Sequence, residues 1–309
     1  MIKNLRDGMT IDGEKFLVAT CSKGVSVSGS SYLNIILQDA SGTIEAKLWN
    51  AGEDDSLLFT PGNLLLVDGD VLKFKDKLQL KISSASYIDP SFEDLTLYVP
   101  VSPFTLDELK EKYNKLHDKI KDKELLSVLD DLYKTHFEDI FNYPAAVRNH
   151  HAYSRGLITH ALSVAEICDF FCDHYEGLNR DLMLVGALLH DIGKIVEFSS
   201  PLIPKYTTEG NLIGHIQIGY FAVSEACRKL KIDEQKRLLL EHIILSHHGH
   251  HEFGSPVLPM TREALLVSFA DDIDAKENFI EKTLDDTVEG EFTNRLFQLD
   301  DRQLYKPKK

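Results

Sequence analysis

No apolar run in these 309 residues approaches the roughly 20 needed to cross a bilayer, so a membrane-spanning helix is not expected. The N-terminal stretch "MIKNLRDGMTIDGEKF" has no apolar core of the kind a secretion signal carries. Cysteine is scarce: Cys21, Cys168, Cys172 and Cys227 form no disulfide framework, and the one close pair, Cys168 and Cys172, has the spacing of one helical turn. A reducing cytoplasm is the simplest setting for such a chain. Basic residues are outnumbered, with 34 Lys and Arg against 49 Asp and Glu and a net charge of −15. That balance argues against indiscriminate nucleic-acid binding, though not against a local basic groove or a metal centre that supplies its own positive charge. Internal repeats and low-complexity tracts are missing too.

What is present divides by period. Residues 1–90 read as short strands: "SYLNIILQD" and "TIEAKLWN" flank the turn "DASG", and "GNLLLVDGDVLKFKDKLQLKI" alternates strand and turn. About five strands with glycine turns and no clear helix predict a small β-barrel, best matched in size and spacing by an OB-fold. Such barrels bind single strands through aromatic platforms and a basic groove. Tyr32, Phe74 and Trp49 are candidate platforms, and Lys47, Lys73, Lys75 and Lys77 candidate phosphate contacts. The alternative is that Trp49 packs inside the barrel and "KFKDKLQLK" is a solvated hairpin.

The stretch "SASYIDPSFEDLTLYVPVSPF" carries three prolines, and residues 91–104 within it read as a linker. From 105 to 285 the period is helical, opened by Thr105 and Glu108 at capping-box spacing. Residues 286–309 read as a polar tail. The fold class is therefore multidomain α and β: a small barrel followed by an all-α bundle.

Thirteen histidines is a high count, and nearly all lie in the helical half. His160 sits on "GLITHALSV". His190 and Asp191 close the apolar run "LMLVGALL". His215 begins a helix, His247 and His248 close another, and Asp271 lies within a fifth. Two polar groups ending a buried run are costly unless satisfied. One such histidine alone is more often a hydrogen-bonded core residue, but imidazoles and carboxylates from five helices facing one interior suit a Mn²⁺-, Fe²⁺- or Co²⁺-type site.

The order H…HD…D, carried by His160, His190-Asp191 and Asp271, resembles the HD-domain metal-dependent phosphohydrolases. His215, His247 and His248 resemble the subset holding two ions. With "NHHAYSRGLITHALSV", "HHGHHEFGSPVLP" and "EALLVSFADDIDAK" behind a barrel, the chain is similar to the YhaM-type 3′→5′ exoribonucleases over nearly its whole length. The resemblance implies a barrel that feeds the 3′ end of single-stranded RNA to an HD active site, with Mn²⁺ the expected ion. It also implies Asp191 as the bridge between two ions, His160, His190 and Asp271 completing one shell, and His215, His247 and His248 the other. His248 is alternatively a partner supporting a ligand from behind, or a substrate contact. Lys194, three residues after Asp191, is expected at the scissile phosphate or the leaving 3′-oxygen. In "NHHAYSR", His150, His151, Tyr153 and Arg155 are candidate substrate contacts, Arg155 as a fork on phosphate and Tyr153 as a stacking ring. HD-GYP phosphodiesterases continue HHExxDGxGYP, whereas this chain continues "HHGHHEFGSPV", which argues against cyclic dinucleotides.

Two other readings stay open from the residues alone. One is a mononucleotide or cyclic-nucleotide phosphohydrolase whose barrel serves homo-oligomerisation. The other is a single-strand-binding regulator, for DNA or RNA, with an inert helical half. No residue visibly reads a 2′-hydroxyl, so RNA over DNA comes from the resemblance.

Overall fold

The computed structural model describes residues 1–26, 29–75, 77–94, 97–146, 153–201, 204–285 and 287–308. The chain divides into two compact units, Met1–Val101 and Ser102–Lys309.

In the first unit β1 (Thr10–Val25), β2 (Ser31–Asp39), β3 (Gly42–Trp49), β4 (Leu64–Phe74) and β5 (Lys77–Ile88) close into a barrel in the order β1-β2-β3-β5-β4. β1 closes it by pairing with both β2 and β4, and the β3–β5 pair is parallel. This is the OB-fold architecture expected from the strand pattern. Alternation is the cause: in β2 the residues Leu33, Ile35, Leu37 and Asp39 point inward and their neighbours outward. Phe16, Val18, Leu65, Val67, Val71 and Leu80 complete the core from the other strands. Register shifts in β1 and β4 let the long strands bend around so small a barrel. Gly69 lies at the β4 shift, where a Cβ would meet the Lys81 carbonyl at 2.3 Å.

Three features depart from the expectation. A helix, α1 (Glu53–Leu58), follows β3 where none was expected. Asp55 accepts from Gly52 N at 2.8 Å to start it, and Phe59 just beyond its end is fully buried in the barrel core. Residues 91–101, expected to be linker, belong to the first unit: Tyr98 and Val99 are buried, Ala40 N donates to Leu97 O, and Gln38 Nε2 donates to Tyr98 O. Finally, within the expected tail, Phe292 bridges Tyr305, Leu296 bridges Arg302, and Thr293 and Leu299 are buried.

The second unit is helical: α2 (Leu106–His117), α3 (Lys123–Asn142), α4 (Gly156–His174), α5 (Arg180–Leu189), α6 (Lys194–Glu197), α7 (Thr208–Ile213), α8 (His215–Leu230), α9 (Glu234–Ser246) and α10 (Arg262–Asp285). The Thr105–Glu108 capping box opens α2 as its spacing predicts. α5 is the central rod. Asn179 caps its start, and every residue from Leu182 to Leu189 is buried. It packs closely on α9, since a Cβ at Gly186 would meet Ile243 at 2.8 Å. Among the described residues, no helix is long and apolar enough to cross a membrane.

Candidate metal centre

Two ligand candidates are held by the same local device. His190 follows the last residue of α5 and donates Nδ1–H to the Ala187 carbonyl at 2.7 Å. His247 follows the last residue of α9 and donates Nδ1–H to the Ile244 carbonyl, also at 2.7 Å. Each ring satisfies an orphan carbonyl of its own final turn and is thereby locked in orientation. His248 Nδ1 donates to Phe253 O at 2.7 Å, which fixes the turn carrying "HHEF". A carbonyl oxygen can only accept, so all three imidazoles carry their proton on Nδ1 and present a lone pair on Nε2. The remaining two face carboxylates: His160 Nδ1 lies 2.6 Å from Asp274 Oδ2, and His215 Nδ1 lies 3.1 Å from Glu197 Oε1.

The Nε2 ends converge on Asp191, which is 2% exposed. Its Oδ2 lies 3.3 Å from His190 Nε2 and 3.6 Å from His160 Nε2. Its Oδ1 lies 3.5 Å from His215 Nε2 and 3.6 Å from His247 Nε2. Asp271 Oδ1 joins the first side, 3.0 Å from His160 Nε2 and 3.8 Å from His190 Nε2. On the second side, one ligand atom each from Asp191, His215, His247 and His248 fall within 4.8 Å of one another. Lys194 is buried with Nζ 2.6 Å from Asp191 Oδ2. All seven metal-ligand candidates and Lys194 therefore meet in one place.

The electrostatics are those of a site built for cations. Burial opposes ionisation of Asp191, yet Lys194 and His190 hold it well below the usual carboxylate range. Asp271 is likewise held low, against burial, by its bond to His160. Burial also opposes protonation of His160, but Asp271 and Asp274 raise it to about 10. Burial and the neighbouring His247 bring His248 down to about 3. Among the described residues, three buried atoms at this centre have no hydrogen-bond partner: Asp191 Oδ1, His215 Nε2 and His247 Nε2. An unsatisfied buried acceptor costs about 1–3 kcal/mol, and here the three share one side of one carboxylate. A divalent cation satisfies all of them together, so the donor set fits a metal.

The other candidates are more dispersed. His150 and His151 lie outside the described residues. Tyr153 lines a cavity of about 320 Å³ with Asp274, Asn278 and Glu281, and burial with those two carboxylates raises its phenol pKa. Arg155 caps α4 in the left-handed region (φ 67°), and its buried Nε has no partner. On the barrel, Tyr32 and Trp49 are cross-strand neighbours with ring centroids 5.0 Å apart. Trp49 is 43% exposed, so it does not pack inside the barrel. Lys47 Nζ stands over both rings, at 4.8 and 5.2 Å from their centroids. Phe74 is exposed with Lys75 Nζ 5.5 Å over its ring, and Lys73 is exposed one residue before it.

Glu197 and Asp274 were not anticipated. Asp274 stands three residues after Asp271 in "DDIDAKE", a same-face helical spacing that offered a signal. Glu197 offered none, because its contact with His215 is made only by the fold.

Comparison with known proteins agrees with this architecture. Residues 157–276 match the HD domain, and residues 18–88 match the OB-fold nucleic acid binding domain. The second OB-fold domain of replication protein A from Methanococcus maripaludis covers 30% of this chain and 97% of its own at 20% identity and TM-score 0.25. The priB protein of Ralstonia solanacearum covers 25% and 99% at 22% identity and TM-score 0.20. The two family matches, an OB-fold nucleic acid binding domain and an HD domain, define the class. The 3′-5′ exoribonuclease YhaM of Bacillus subtilis (strain 168) is 36% identical over 293 residues, 94% of this chain and 93% of its own, and the chain belongs to the family of that protein.

Proposed function

We propose that the chain is a metal-dependent 3′→5′ exoribonuclease that hydrolyses the terminal phosphodiester bond of single-stranded RNA and releases nucleoside 5′-monophosphates. The observation that carries this reading is the division of the centre by Asp191. One carboxylate oxygen faces His160 and His190, the other faces His215 and His247, and each side has the donors for one ion. We assign His160, His190, Asp191 and Asp271 to the first ion, and Asp191, His215, His247 and His248 to the second. Mixed imidazole and carboxylate donors suit Mn²⁺, with Fe²⁺ and Co²⁺ of the same preference. When bound, such a pair lowers the pKa of water and neutralises charge on the phosphoryl oxygens.

The chain's own groups do the rest. Lys194 holds Asp191 Oδ2 at 2.6 Å and adds a fixed positive charge beside the reacting phosphate. Arg155, with its unbonded buried Nε, is assigned to a substrate phosphate as a planar fork. Tyr32 and Trp49 supply faces for stacking bases, with Lys47 among them and Lys81 opposite it in the β3–β5 pair. Two lysines paired across strands repel unless an anion lies between them, which is the role we give the backbone phosphates. Phe74 with Lys73 and Lys75 forms a second exposed aromatic and basic group of the same kind.

The test is a time course on 5′-labelled single-stranded RNA with Mn²⁺, beside Asp191→Ala, a matched DNA strand and a 3′-tailed duplex. The reading expects a ladder shortening from the 3′ end of the RNA, absent in the variant. Intact RNA with metal demonstrably bound overturns it.

A further inference from the structure

Of the five converging imidazoles, three donate Nδ1–H to neutral carbonyls and two face carboxylates. The two are distributed one to each side of Asp191. His160 is gripped at both ends by α10: Asp271 at Nε2 and, one turn on, Asp274 at Nδ1. Asp274 is 9% exposed. His215 is held by Glu197, whose Oε1 accepts from His215 N at 3.0 Å and faces its Nδ1 at 3.1 Å. Glu197 is 6% exposed and closed in by Gly210, where a Cβ would stand 2.5 Å from the Glu197 carbonyl and 2.9 Å from its Cγ. A carbonyl would suffice to set tautomer and orientation, as it does for the other three rings. What a carboxylate adds is negative charge behind the ring, which makes Nε2 a stronger donor to a cation.

We propose, resting on the two-ion reading above, that Asp274 and Glu197 are positioning residues that set ion affinity separately on the two sides, Asp274 through His160 and Glu197 through His215. Neither carboxylate is assigned to the substrate. Each acts by fixing its ring and charging it, so the two sides of the centre can be weakened one at a time.

The test measures Mn²⁺ bound by the full chain in equilibrium dialysis at graded free metal, for wild type, Asp274→Asn, Glu197→Gln and the double variant. The amide isosteres keep an acceptor oxygen for the ring N–H and remove only the charge. Each single variant is expected to keep one ion at wild-type affinity and to hold the other about 10–100-fold more weakly. The double variant weakens both. At a free Mn²⁺ that fills the wild type, the coupled electron paramagnetic resonance signal of an ion pair gives way to the six-line signal of a lone ion in each single variant. Two ions at unchanged affinity in every variant overturn the proposal alone. A single variant that loses both ions together also overturns it, since that is a folding defect and not a local effect. A wild-type chain that binds no Mn²⁺ overturns it along with the two-ion reading.

Discussion

Gly193 offers a sharp test of how the centre is assembled, because it is where the segment carrying Asp191 meets the helix carrying His215. Its backbone is ordinary, so the requirement for glycine is one of space. A Cβ built there stands 2.0 Å from the His215 carbonyl oxygen and 2.7 Å from Gly219 N, inside the first turn of α8. Ordinary contact begins at 3.4 Å, so Gly193→Ala must push that turn back by about 1.4 Å. His215 Nε2 is only 3.5 Å from Asp191 Oδ1, and the Glu197 bonds to His215 are stretched by the same retreat. A misplacement of about 1 Å costs on the order of 100-fold in rate, and overpacking of this kind costs about 1–3 kcal/mol of stability. Gly219→Ala is the matched control: its Cβ would meet Gly193 N at 3.3 Å and Ile192 at 3.5 Å, a much milder contact. Initial rates on labelled RNA at saturating Mn²⁺, with urea titrations of both variants, are the assay. Gly193→Ala is expected to lose about 100-fold in kcat while Gly219→Ala stays within a few-fold of wild type. A folded Gly193→Ala chain with wild-type rate and Mn²⁺ affinity would refute the claim that this contact sets the position of His215.

Three further outcomes follow from the geometry. Tyr32→Ala and Trp49→Ala should each weaken single-strand binding by about 1–3 kcal/mol, measured by fluorescence anisotropy without divalent metal. Gly24→Ala should imitate Tyr32→Ala, because its Cβ would lie 2.5 Å from the Tyr32 ring; unchanged affinity in all three would remove stacking from the account. Lys47→Gln should reduce the slope of log affinity against log salt by about 0.7, and an unaltered slope means that Lys47 meets no phosphate. His242 Nε2 accepts from Met260 N at 2.8 Å, and burial holds its pKa below the ordinary 6.5. The unfolded chain therefore takes up that proton first, so this contribution is complete above pH 6.5 and is lost as pH falls below it. The difference in urea midpoint between wild type and His242→Gln should change with pH only below about 6.5, and a difference that keeps changing above it contradicts this assignment.

The parts of the molecule legible in the sequence are those written in local period. The barrel follows from alternation such as Leu33, Ile35 and Leu37, and α5 from an apolar run long enough to need burial on every side. His190 and Asp191 stood out because they end that run, and the other ligand candidates because they mark ends or interiors of separate helices. What escaped was short or tertiary. The six residues of α1 are too few for a helical period to register, and their acidic first turn reads equally well as a loop. Tyr98 and Val99 lie in a proline-rich stretch, and only the fold shows that they are buried. Trp49 faces outward because of its register against Tyr32, which strand propensity does not specify. Asp274 reaches His160 across 114 residues, and Glu197 reaches His215 from the far side of α7 in the chain. The spacing of Asp274 from Asp271 was a local sign that the two share a helix face, but neither contact with a histidine is written in local period.

The central claim is that Asp191 bridges two ions, with His160, His190 and Asp271 on one side and His215, His247 and His248 on the other. Anomalous diffraction at the manganese edge from crystals of the full chain grown with Mn²⁺ tests it directly. The account predicts two peaks about 3.5–4 Å apart, one against each oxygen of Asp191. A single peak, or a pair that Asp191 does not touch, contradicts it.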